Sequence, residues 1–252
     1  MRAINLLSAT TLFAATMAGA QAAPNHTALG DREYAAMNPT NALSHYEAAI
    51  EADPKNYDAL WKASRSAVDL GSYDQTSEKR GILYKNAELY ARRAVAANPN
   101  DAEAHFHLAR ALGKNALTLG PRARIKYATD VRTQALECLK LNPKHAGCLH
   151  VMGIWNAEVM RLSGFTRMLA RNLLGGRVFG SASWKEAQRY LEESVAAEPD
   201  RIVHRIDLAE IYRDTNQKPK ARTQFETALK LNVVDFNDHH YKAQAERALK
   251  AL

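Results

Sequence analysis

Along this chain the apolar positions recur at about 3.6 residues, and no stretch alternates strand-fashion. In "ALSHYEAAIEADP" Ala42, Tyr46 and Ala49 share one face before Pro54 stops the run, and near the other end "ARTQFETALKLN" repeats it with Ala221, Phe225 and Ala228. Prolines 54, 99, 143 and 199 close the similar runs "AAIEADP", "RAVAANP", "ECLKLNP" and "ESVAAEP"; twelve residues before them stand Ala42, Ala87, Val131 and Ala187. After each proline a second periodic run begins, with Leu60, Ala63, Ser64 and Ala67, then Leu108, Ala109 and Leu112, then Leu149, Met152 and Gly153, then Leu208, Ala209 and Tyr212. The pattern predicts helix throughout and an all-α fold.

Small residues on facing helices let two backbones approach, and an aromatic four positions on fills the gap beside them. Helix pairs stacked side by side follow. These residues match the tetratricopeptide repeat, a helix-turn-helix unit of about 34 residues. The last copy fits best, and a final helix over about 238–252 is predicted to cap the exposed end. The prolines themselves are 45, 44 and 56 residues apart, so each earlier unit carries an insertion. With "NPNDAEAHFHLA", "LNPKHAGCLHVMGIW" and "SASWKEAQRYLEES", that spacing makes the chain resemble the regulator of microtubule dynamics family over roughly residues 40–250. The resemblance implies a right-handed tetratricopeptide-type solenoid. Through one member, whose repeat domain is similar to a phospholipid-binding and transfer module, it also implies lipid handling. The export signal, without the coiled-coil or organelle-anchoring segments of animal relatives, tells against a microtubule role.

The 252 residues are 46% hydrophobic and 24% charged, the composition of a chain able to bury a sizeable core. The start, "MRAINLLSATTLFAATMAGAQAAPN", reads as a secretory signal cleaved after Ala20-Gln21-Ala22. Residues 1–22 are therefore expected to be a signal peptide and 23–252 a single repeat domain. That domain is expected in the periplasm if the source is bacterial and outside the cell otherwise. No later segment approaches eighteen uninterrupted apolar residues.

Chemistry-bearing motifs are scarce. G-x-S-x-G, P-loop and H-E-x-x-H patterns are missing from the sequence, so no catalytic activity and no cofactor are expected. His105 and His107 point about 200° apart on a helix and cannot share a metal. Cys138 and Cys148, the only cysteines, lack the spacing and companion pair of a metal site. A hairpin turning at Pro143 could join them in a disulfide, or they are two small buried thiols.

Candidate binding residues come from the inner helices of the stack. Seven residues past each proline stand Trp61, Phe106, His150 and Ile206; one turn on are Arg65, Arg110, Ile154 and Glu210. In a regular stack they form two ladders along the concave groove, suited to a ligand with an apolar body and an anionic end. Alternatively, the insertions cover Trp61 and Phe106. Residues 121–180 hold ten basic side chains against three acidic ones, which accounts for the whole net charge of +7. Within them "RLSGFTRMLARNLLGGRVFG" carries Arg161, Arg167, Arg171 and Arg177. It reads as a helix packed on its own domain, as a lid, or as a strip for peripheral contact with an anionic membrane. Nucleic acid is not an expected partner, because stacking aromatics and a recognition motif are both missing. Two functions remain: an exported module holding a protein or peptide partner in its groove, and a carrier of phospholipid or another amphiphile.

Overall fold

The computed structural model describes residues 24–74, 76–164, 166–168 and 177–252; the expected signal peptide and much of the longest insertion lie outside them. The described residues form eleven α-helices and no strand. In chain order these are α1 (His26–Ala35), α2 (Pro39–Ala52), α3 (Tyr57–Ser72), α4 (Ser77–Ala97), α5 (Ala102–Ala116) and α6 (Pro121–Leu141). There follow α7 (Ala146–Arg161), α8 (Trp184–Ala197), α9 (Ile202–Asp214), α10 (Lys218–Lys230) and α11 (Asp238–Lys250), with a 3-10 turn at Arg177–Ser181.

The helix-ending prolines also start the next helix. Two residues beyond Pro54, Pro99 and Pro143 stand Asn56, Asp101 and His145, whose side chains accept from the backbone N–H groups of Ala59, Glu103 and Cys148. Each cap satisfies an N–H that the first helical turn leaves unpaired. Antiparallel hairpins result: α1 with α2, α3 with α4, α5 with α6, α7 with α8 and α9 with α10. Consecutive hairpins stack chiefly through the second helix of one and the first helix of the next, with the first helices also in contact, so the molecule is a helical solenoid. Ala42, Ala87, Ala187, Ala221, Phe225 and Ala228 are all fully buried.

Close approach within the hairpins is what the small residues supply. A Cβ on Gly71 would fall 2.6 Å from the Tyr84 ring, and one on Gly153 would fall 2.5 Å from Leu191 Cγ with the Ala187 carbonyl 3.3 Å away. Because backbone limits the retreat at Gly153, Gly153→Ala is expected to cost about 1–3 kcal/mol and to lower the thermal unfolding midpoint by several degrees. Calorimetry checks this.

The first two insertions lengthen helices: α4 and α6 each run 21 residues, against 14 for α2 and α8. The third follows α7 and ends in the 3-10 turn, whose Phe179 is buried beside Trp155 with ring centroids 5.9 Å apart. Helix α1 was not expected from the repeat pattern. Helix α11 packs on α9 and α10, and the segment leading into it extends back across the molecule to α3.

Candidate interaction site

The inner helices α3, α5, α7 and α9 carry the predicted ladders. Trp61 stacks on His107 of α5 at 5.1 Å between centroids, and the Phe106 ring lies 5.0 Å from His145 and fills the space over Gly147 of α7. His150 Nε2 lies 2.7 Å from Asp207 Oδ2, and its ring stacks on His204, both residues of α9. Each of these three residues thus bridges its own inner helix to the next one. They are half-buried seam residues, covered by the neighbouring helix. Ile206 departs from the expectation: it is 0% exposed within the C-terminal core and offers a ligand no surface.

The second ladder is largely engaged within the protein. The Arg65 guanidinium lies 3.5 Å over the Tyr34 ring, Ile154 packs against the C-terminal core, and Glu210 pairs with Arg213 and accepts from Gln244 at 3.5 Å. Arg110 is not free to meet an anionic ligand end, because it is ion-paired to Asp69 at 2.5 Å. One helical turn past Arg65, Asp69 is 1% exposed and also accepts from Tyr34 Oη–H at 2.7 Å. Burial alone would lower the Arg110 value, but the Asp69 charge outweighs it and raises the value above the ordinary arginine range.

Residues 233–241 close on this centre from the far end of the chain. Asn237, 1% exposed, donates from Nδ2 to the backbone carbonyl of Asp69 at 3.2 Å, across 168 residues of sequence. His240 stacks on Tyr73 with centroids 3.8 Å apart and planes 9° from parallel, and Tyr241 meets the same ring edge-on at 5.9 Å. Asp235 pairs with Arg201 at 2.6 Å. The ladder spacing, continued one turn, leads from Trp61 and Arg65 to Asp69 and from Phe106 and Arg110 to Lys114, so this part of the site was within reach of the sequence. Asn237, His240 and Tyr73 carry no comparable signal.

Beside the seam, Glu103 lies 3.4 Å from His107 Nε2 and 3.2 Å from His145 Nε2, and these two partners hold its carboxyl well below the usual range. Burial pushes His107 down from 6.5 to about 4, with Glu103 opposing only in part. A base whose folded value is lowered takes up its proton in the unfolded chain first, so its contribution to stability is lost as pH falls from 6.5 towards 4. We expect up to about 3 kcal/mol to disappear over that window, and a shallower slope in His107→Gln. Denaturant unfolding at successive pH values checks both.

A recess of about 650 Å³ between the ends of α3 and α5 and the start of α4 is lined by Arg80, Lys114, Glu78 and hydroxyl side chains together with Leu117, so its wall is mixed. Cys138 and Cys148 are joined in a disulfide that ties α6 to α7, with Cα atoms 6.4 Å apart. His145 lies beside them, but both sulfurs are taken by each other. In the basic insertion, Arg161 pairs with Asp214 at 2.6 Å and Glu158 at 2.5 Å, and Arg167 donates to the Met160 carbonyl at 3.4 Å. Arg177 opens the 3-10 turn, and Arg171 falls outside the described residues. No helix of the described residues is long and apolar enough to cross a membrane.

A family profile described as regulator of microtubule dynamics protein 1-3 matches residues 28–252. The chain belongs to that family. Within it, the chain is 28% identical to regulator of microtubule dynamics protein 1 of Bos taurus over 160 residues, 63% of this chain and 48% of that protein. It is 23% identical to regulator of microtubule dynamics protein 3 of Xenopus laevis over 193 residues, 76% of this chain and 41% of that protein. This family member thus spans about half the length of the curated relatives it matches. Among solved structures, a thermophilic tetratricopeptide repeat protein of Thermus thermophilus superposes with a TM-score of 0.61 at 22% identity. That match covers 88% of this chain and 98% of the other, and it establishes the solenoid architecture.

Proposed function

We propose that this family member is a non-catalytic interaction module whose inner face holds an extended segment of a partner protein. Tetratricopeptide-type solenoids present a curved inner surface suited to that task. The observation that carries the reading is the contact of Asn237 with the Asp69 carbonyl: the inner face already grips a stretch of polypeptide by side-chain and backbone contacts. We further propose that the module works outside the cytosol. The composition of residues 1–22 supports this, as does a disulfide of the kind that persists in oxidising compartments.

Capture on the full mature chain tests the proposal. Bait protein exposed to the native exported fraction should retain a discrete protein, and Tyr73→Ala with Arg201→Ala should release it. Extraction of the purified protein followed by mass spectrometry provides the opposing result. Stoichiometric phospholipid with no protein retained would replace this reading with an amphiphile carrier.

A further inference from the structure

Residues 233–241 are held on the inner face largely by polar and stacking contacts, with little apolar burial ahead of Tyr241. Val234 is 61% exposed and Phe236 37% exposed, so these two apolar side chains point outward, and of the segment's large side chains Tyr241 packs against the C-terminal core. The hold comes from the ion pair of Asp235 with Arg201, the Asn237 carboxamide on the Asp69 carbonyl, and the His240 ring on Tyr73. The segment brings its own order: Asp238 Oδ2 accepts from the N–H groups of Val234 and Asp235 at 2.9 and 2.8 Å, which fixes the turn before α11. Its fit is imperfect. Asn237 Oδ1 is buried without a hydrogen-bond partner among the described residues, so the carboxamide is only half satisfied. A preordered segment, held by replaceable contacts and with one acceptor unmet, has the properties of a displaceable ligand.

We propose that residues 233–241 are an intramolecular ligand of the inner face, and that the external partner is a segment of the same chemistry which must displace them. Such a partner offers an acidic side chain to Arg201, a carboxamide to the Asp69 carbonyl, and an aromatic or imidazole ring to Tyr73. This rests on the interaction-module reading and gives it both a partner chemistry and a built-in competitor. The Arg201 guanidinium is half-buried at the edge of the face, where an incoming carboxylate can reach it before the inner contacts break.

The experiment uses the full chain and a fluorescent peptide of its own sequence, "LNVVDFNDHHYKAQ", residues 231–244. Asn237→Ala with His240→Ala should loosen the internal segment, seen as faster hydrogen exchange over 233–241 with α3 to α8 unchanged. That variant should bind the peptide at least tenfold more tightly than the unaltered chain, and adding Tyr73→Ala should remove the gain. If the double variant loses protection beyond α9 to α11, the milder Asp235→Asn serves in its place, with the same direction of change. Equal peptide affinity in variant and unaltered chain, or an opened segment with no peptide binding, overturns the proposal. Partner capture is scored separately: a partner retained while the peptide fails leaves the module standing and removes only the competing segment.

Discussion

Asp69→Ala is expected to cost this protein about 3–5 kcal/mol, enough to leave much of it unfolded at 37 °C. The carboxylate is buried at the centre of the molecule, where it faces the Arg110 guanidinium at 2.5 Å and the Tyr34 hydroxyl at 2.7 Å. Removing it strands a guanidinium whose own side chain is only 23% exposed, and an unpaired charge in that setting is far more costly than the pair was favourable. Arg110→Met in the same background should return much of the loss, because it removes the stranded charge and keeps the volume. Urea unfolding of the two single variants and the double variant measures the coupling directly. Full stability in Asp69→Ala alone would mean that the central ion pair does not hold the inner face together.

The helices were legible because their signal is local. A small residue at 42, an aromatic at 46 and a proline at 54 report one helix face and its end, and the facing helix repeats the same demand at Leu60 and Ala63. The all-α solenoid and its family followed from that repetition. The ladders were legible as positions but not as surfaces: a spacing of seven past each proline finds the inner helices, yet the rings at Trp61, Phe106 and His150 turn sideways into the next helix. Whether an inner position faces open space or a neighbour depends on how tightly successive hairpins are wound, and that is a property of the whole stack. The pairing of Asp69 with Asn237 was further out of reach. The two are 168 residues apart, and no periodicity connects them.

Phe225→Ala is expected to cost about 3–5 kcal/mol as well, but in a different part of the molecule. The ring is fully buried between α10 and its neighbours, in the cluster that also holds Leu191, Ile206, Leu208 and, from α11, Ala245 and Ala248. Loss of the ring leaves a cavity that flanking helices can close only in part, and repeats far from it share no contact with it. Hydrogen exchange should therefore accelerate over α9 to α11 and over residues 233–241, with α4 to α6 close to unchanged. Uniform acceleration across all helices would show that the hairpins do not behave as separable units.

A row of stacked hairpins ordinarily comes apart from its two ends, since a terminal unit has only one neighbour to lose. Here the tail is fastened to the third helix, so the last unit has a second neighbour close to the beginning of the row. Melting from that side must first detach the fastening, which delays fraying and links the fate of both halves. The same attachment makes the chain's final twenty residues a determinant of how cooperatively the molecule melts, well beyond their share of its interior.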